Sequence, residues 1–159
     1  MSVTIRFEMT RTIKATPEFV FEWWTDLGPD DAKLVKPLKR RVIISRTPDK
    51  IQLQDEEQMY FQRMKLDVTV TLDRPYGWIA EYDGKSARAR SEYRLRSPTH
   101  GTTILNYCTA IEPNGFFTRL FSPLAKRLIK RVFASEMSIF IETLEQEFEG
   151  EKISHPDSS

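Results

Sequence analysis

Few side chains in this 159-residue chain are able to do chemistry, and their positions narrow what that chemistry is. Carboxylates are the candidates for proton transfer. The alternation that turns Ile51 and Leu53 inward places Asp55 and Glu57 on the same face, where desolvation raises a carboxyl pKa toward values useful to a general acid or base. If the strand twists or bulges there, both acids instead meet water or a basic partner. Arg11, in phase with the inward face of the first strand, either pairs with such an acid or lies exposed past a bulge. A metal site needs clustered ligands, and the two histidines are His100, in a turn, and His155, near the end of the chain. A nucleophile with a histidine base fails for the same reason, and Cys108 reads as a small core residue. Gly28, Gly77, Gly84, Gly101 and Gly115 each stand singly at turns, so no glycine-rich phosphate loop exists. The residues imply neither a metal nor a cofactor.

Aromatic residues give the stronger signal. Trp78, Tyr82, Tyr93 and Tyr107 share one alternation phase on neighbouring strands, and Phe133, Met137 and Phe140 lie on a helical stripe facing them. Tyrosine brings a polar tip to an apolar wall and so orients a ligand in a mostly greasy pocket. Each of these residues alone reads better as core filling. Together, opposite the small side chains Ala87, Ala89 and Ser91, they point to a cavity, because small residues leave volume that something must occupy.

The elements that hold these residues follow from periodicity. Residues 3–9 alternate as a half-buried strand. Thr16-Pro17-Glu18 then supplies a cap, a first-turn proline and an acid for a short helix carrying Phe19, Val20, Trp23 and Trp24. Leu27-Gly28-Pro29 ends it, a second short helix fits residues 30–35, and the pair forms a bracket or lid. Residues 42–45 and 51–54 flank the turn Thr47-Pro48-Asp49-Lys50 as a hairpin, and residues 59–63 either extend its second strand or begin another. Strands follow over 65–73, 78–82, 87–95 and 103–111. Last comes an amphipathic helix, with Ser122 capping and Pro123 in the first turn, running to Glu149. Its apolar stripe reads Phe117, Leu120, Phe121, Leu124, Leu128, Val132, Phe133, Met137, Phe140, Ile141, Leu144 and Phe148. Consecutive strands with short turns imply an antiparallel sheet, and a solitary long helix implies that the sheet curves around it. The expectation is one α+β domain over residues 1–149, with about seven strands, and a disordered tail over 150–159.

This order, with the segments IKATPEFVFEWWTD and LDVTVTLDRPYGWIAEYDG and the terminal helix after IEPNGFF, resembles the START and birch-pollen-allergen superfamily of helix-grip proteins. More narrowly, it resembles the polyketide cyclase/dehydrase and lipid-transport branch (SRPBCC). The resemblance implies a curved sheet gripping the C-terminal helix, with a cavity between them for an apolar or amphipathic small molecule such as a lipid, quinone or aromatic polyketide. It does not choose between a carrier and a cofactor-independent cyclase or dehydratase, because the superfamily hosts both. The two-histidine, one-carboxylate iron site of its oxygenase members finds no ligands in this sequence.

Charge bounds the partners. Basic and acidic residues number 24 and 23, but residues 33–46 and 119–131 are basic without an acid, and 136–151 acidic without a base. Lys126, Arg127, Lys130 and Arg131, with Lys39, Arg40 and Arg41, are candidates for a patch that touches a membrane surface or a protein partner. Nucleic acid is not expected, since the clusters lack interleaved aromatics and the acidic helix end repels phosphate. One cysteine and no apolar run of spanning length fit a cytoplasmic protein.

Overall fold

A computed structural model of the chain describes residues 4–59, 62–114 and 123–154. The elements run β1 (Ile5–Ile13), α1 (Pro17–Thr25), α2 (Asp31–Leu34), β2 (Leu38–Arg46), β3 (Lys50–Met59), β4 (Gln62–Asp73), β5 (Gly77–Gly84), β6 (Ala87–Thr99), β7 (Thr102–Pro113) and α3 (Pro123–Ser154). The strands form one seven-stranded antiparallel sheet in the order β1-β7-β6-β5-β4-β3-β2, so only β1 joins across sequence distance. Its concave face and α3 enclose a core of Ile13, Val20, Phe21, Ile51, Leu53, Val70, Leu105, Met137, Ile141 and Leu144, with α1 closing one end.

Local chemistry explains the joints. The Thr16 side chain accepts a hydrogen bond from the Phe19 amide (3.4 Å) and Pro17 opens α1, as the capping pattern requires. Gly77 begins β5 where a Cβ would strike the Tyr93 carbonyl of β6, so glycine allows the two strands to meet.

Register accounts for the inward rows. Tyr82, Ala89 and Ile111 lie side by side across the sheet, as do Ala80, Ser91 and Thr109, and Trp78, Tyr93 and Tyr107. β2 departs from simple alternation. Leu38 pairs with Glu57 and Arg40 with Glu56, a bulge that gives β2 one extra residue, and a second register shift lies between Ile43 and Ser45.

The long helix corrects two expectations. It continues through Gly150 to Ser154, past the expected end at Glu149; residues 155–159 of the expected tail lie outside the described residues. Its stripe is also not single. Met137, Ile141, Leu144 and Phe148 are buried, whereas Leu124, Leu128 and Val132 are exposed. Each four-residue step rotates about 40° past a full turn, so the 124–128–132 ladder drifts off the buried face. Phe117, Leu120, Phe121 and Ser122 lie outside the described residues. Cys108 is half-buried on the convex face, with its thiol 3.9 Å from Glu8, so it is not a core residue.

Candidate functional site

Aromatic rings close one end of the space between sheet and α3. Trp24 stacks on Phe140 (5.4 Å between centroids, 21° between planes) and Trp78 on Tyr93 (4.6 Å, 14°), while Phe21 and Trp23 meet Trp78 and Phe140 edge-on. The short α1 helix therefore supplies a plug of rings as well as a bracket. Trp78 and Met137, read from sequence as ligand-facing, are part of this buried packing.

Away from the ring plug, the described residues leave several inward side chains partly accessible. Ala87, Ala89, Ile111, Tyr82 and Tyr93 face inward near the middle of the sheet, yet each keeps accessible surface, as do Phe133, Glu136 and Phe140 on the facing helix. Burial nevertheless pushes the Tyr82 hydroxyl above the usual tyrosine range. It pushes Tyr93 well above it, with the Tyr107 and Tyr82 hydroxyls adding to the effect. These inward side chains are thus partly accessible and at the same time strongly desolvated, the setting of a candidate ligand-facing wall. Deeper in, the Tyr107 hydroxyl lies 3.4 Å from Ser91 Oγ, which lies 2.9 Å from Thr109 Oγ1; this hydroxyl chain leaves the cleft floor polar.

The overall arrangement has counterparts among solved structures. The Zhui aromatase/cyclase from a Streptomyces species superposes with a TM-score of 0.71 at 12% identity, covering 99% of both chains. A START superfamily protein from Mycobacterium smegmatis gives 0.65 at 13% identity, covering 91% of this chain and 97% of its own. The chain has the START-like helix-grip fold. Norcoclaurine synthase from Thalictrum flavum, in complex with a transition-state analogue, shares it with a TM-score of 0.64 at 11% identity, covering 92% of this chain and 98% of its own. No family model matches the sequence, nor does any curated protein.

Within this helix-grip cleft the two inward carboxylates have different fates. Asp55 is fully buried and held bidentately by Arg41, whose Nε and Nη2 each donate at 2.8 Å. Arg41 Nη1 also donates to Asp31 of α2 at 2.6 Å. Burial opposes the Arg41 charge, but Asp55 and Asp31 outweigh it and raise its pKa. Through Arg41, Asp55 thus ties β2, β3 and α2 together, the basic partner that was the alternative to a proton-transfer role. Arg41 is correspondingly lost to the basic surface patch. Arg11 is not the partner; its guanidinium reaches the Thr10 carbonyl (3.4 Å) and Met9 Sδ (4.0 Å).

Glu57 lies one inward position further along β3, opposite Met64. Burial, reinforced by the charges of Asp55 and Glu136 and opposed by Arg41, raises its carboxyl pKa to about 7. Burial also raises Glu136 on α3. The charge of Glu57 in turn adds to the rise of the Tyr82 hydroxyl, behind burial and Tyr107. Glu136 and Arg41 were missing from the sequence-derived site. Glu136 stands one turn from Phe133 and Phe140, a spacing that flags it, whereas Arg41 follows a bulge and carries no such signal. Among the described residues no cluster of His, Cys, Asp or Glu suits a metal ion.

Proposed function

We propose that the chain binds a hydrophobic, ring-bearing small molecule in the cleft between the sheet and α3. The apolar body would lie against Phe133, Phe140 and Ala89, and polar substituents would meet Tyr82, Tyr93 and the Ser91–Tyr107–Thr109 hydroxyl chain. The carrying observation is the partly accessible, inward row Tyr82–Ala89–Ile111 on the concave face. Neighbours with this fold include an aromatase/cyclase and a norcoclaurine synthase bound to a transition-state analogue, which supports reading the space as a ligand site.

The test fills the cleft from its wall. Ala89→Phe is expected to keep the fold and to abolish binding of phenolic, quinone and fatty-acid probes, read by quenching of tryptophan fluorescence. Unchanged affinity in a folded Ala89→Phe protein, or no affinity of the wild type for any of these classes, would overturn the reading.

A second reading, cyclisation with loss of water, is favoured by Glu57. With a pKa of about 7, its carboxylate can take a proton from a carbon beside a carbonyl while Tyr82 donates a hydrogen bond to the developing oxyanion. The new carbon–carbon bond leaves an alkoxide that takes this proton and becomes a hydroxyl; Glu57 then removes a second proton from the same carbon, the carbon–carbon double bond forms, and that proton leaves with the hydroxide as water. Glu57→Gln should then remove turnover of a poly-ketone substrate and leave its binding intact; equal turnover would exclude this role.

A further inference from the structure

Among the described side chains of residues 123–132 of α3, none is buried. Leu124 is 76% exposed, Leu128 49% and Val132 43%, and Lys126, Arg127, Lys130 and Arg131 are all exposed; Ile129 is half-buried. Lys126 and Lys130 project in the same direction as the buried Met137 and Leu144 further along, yet meet solvent, so the helix here has passed beyond the sheet that covers it later.

The side chains around this segment are sorted. At 100° per residue, Leu124, Leu128, Val132 and Ile129 occupy a sector of roughly 140°, and the four cations occupy the opposite side over a similar width. No acid lies between Pro123 and Glu136, and none of the four cations forms an ion pair among the described residues. An apolar ridge flanked by a purely cationic face suits a helix lying in a lipid interface, with its leucines among the acyl chains and its lysines and arginines against anionic headgroups. A protein partner would need its own acidic and apolar surfaces in register, whereas an anionic bilayer offers both chemistries everywhere.

The segment also sits where docking has a consequence. α3 follows β7, whose end at Pro113 pairs with Ala87, and Phe133 at the end of the segment lies 5.4 Å from Phe7. Glu136, one turn beyond Phe133, adds to the charge felt by Glu57, so the exposed turns lead from the end of α3 that lies over Phe7 and Glu57. We propose that residues 123–132 are an interfacial anchor that docks that end of the protein onto an anionic lipid bilayer. Vesicle binding requires no cleft ligand, so its outcome is separate from that of the binding reading above.

Co-sedimentation with vesicles of phosphatidylglycerol mixed with phosphatidylcholine is the direct test. Wild type should bind these, bind pure phosphatidylcholine far less, and detach as ionic strength rises. The double variant Lys130→Glu/Arg131→Glu should lose at least about tenfold in affinity. Leu124→Ser/Leu128→Ser, which leaves charge unaltered, should also weaken binding severalfold. Circular dichroism confirms that both variants fold. Failure of the wild type to bind anionic vesicles, or variants that bind as wild type does, would overturn the proposal. So would a wild-type dimer that Leu124→Ser/Leu128→Ser disperses and that does not bind vesicles, because the ridge would then be a subunit interface.

Discussion

Two carboxylates two residues apart on one strand meet different surroundings. Asp55 is paired with Arg41, whereas Glu57 sits beyond that guanidinium's hydrogen bonds and feels burial and two other acids. Asp55→Ala leaves Arg41 in a largely buried site with only Asp31, and should cost about 3 kcal/mol in urea unfolding. Glu57 carries a pH signature instead. Its folded pKa is raised from 4.5 to about 7, so its contribution to stability is complete below about pH 4.5 and declines as pH rises through 7, by at most about 3 kcal/mol. Glu57→Gln should abolish that decline, so the wild type should lose stability relative to the variant between about pH 5 and 8; parallel pH profiles would contradict the assignment. The inward phase of both acids was legible from Ile51 and Leu53. Arg41 was not, because Leu38 and Arg41 both turn inward although three residues apart, which alternation forbids and only the β2 bulge allows.

Among the elements, α3 carries two amphipathic faces at different heights. Leu144 is fully buried, and Leu144→Ala should cost about 3 kcal/mol. Leu128→Ala, on the projecting part, should stay within about 0.5 kcal/mol by the same urea measurement. A list of apolar residues three and four apart makes these positions look alike; the angle accumulated by repeated steps of four separates them. α1 was read more fully, since a capping threonine, a proline and two tryptophans define both its start and its inward face. Its Phe21, buried edge-on to Trp78, was missed because the neighbouring Phe19 and Val20 already satisfied the expected stripe.

For the whole molecule, strand count, the two short helices and the terminal helix followed from element order, because short turns between alternating runs leave an antiparallel meander as the simplest sheet. The ring plug at one end of the interior did not follow, since Trp24, Trp78 and Phe140 interlock only after the sheet has curved. Binding in the cleft should stabilise the native state by about 2.7 kcal/mol at a ligand concentration of a hundred times Kd, a rise in Tm of roughly 5–10 °C. Ala89→Phe should erase this shift. Differential scanning calorimetry reads both.

The open sheet leaves β2 with one unpaired side and with Val42, Ile43 and Ile44 exposed. A straight, greasy border strand of that kind recruits copies of itself. Two register breaks in nine residues and the cationic pair Lys39–Arg40 interrupt the template that a second molecule would need. The bulge that swings Arg41 inward is thus also one of the two breaks in this border. A deletion that straightened β2 would unseat Arg41 from Asp55 and, at the same stroke, create a border on which chains could stack edge to edge.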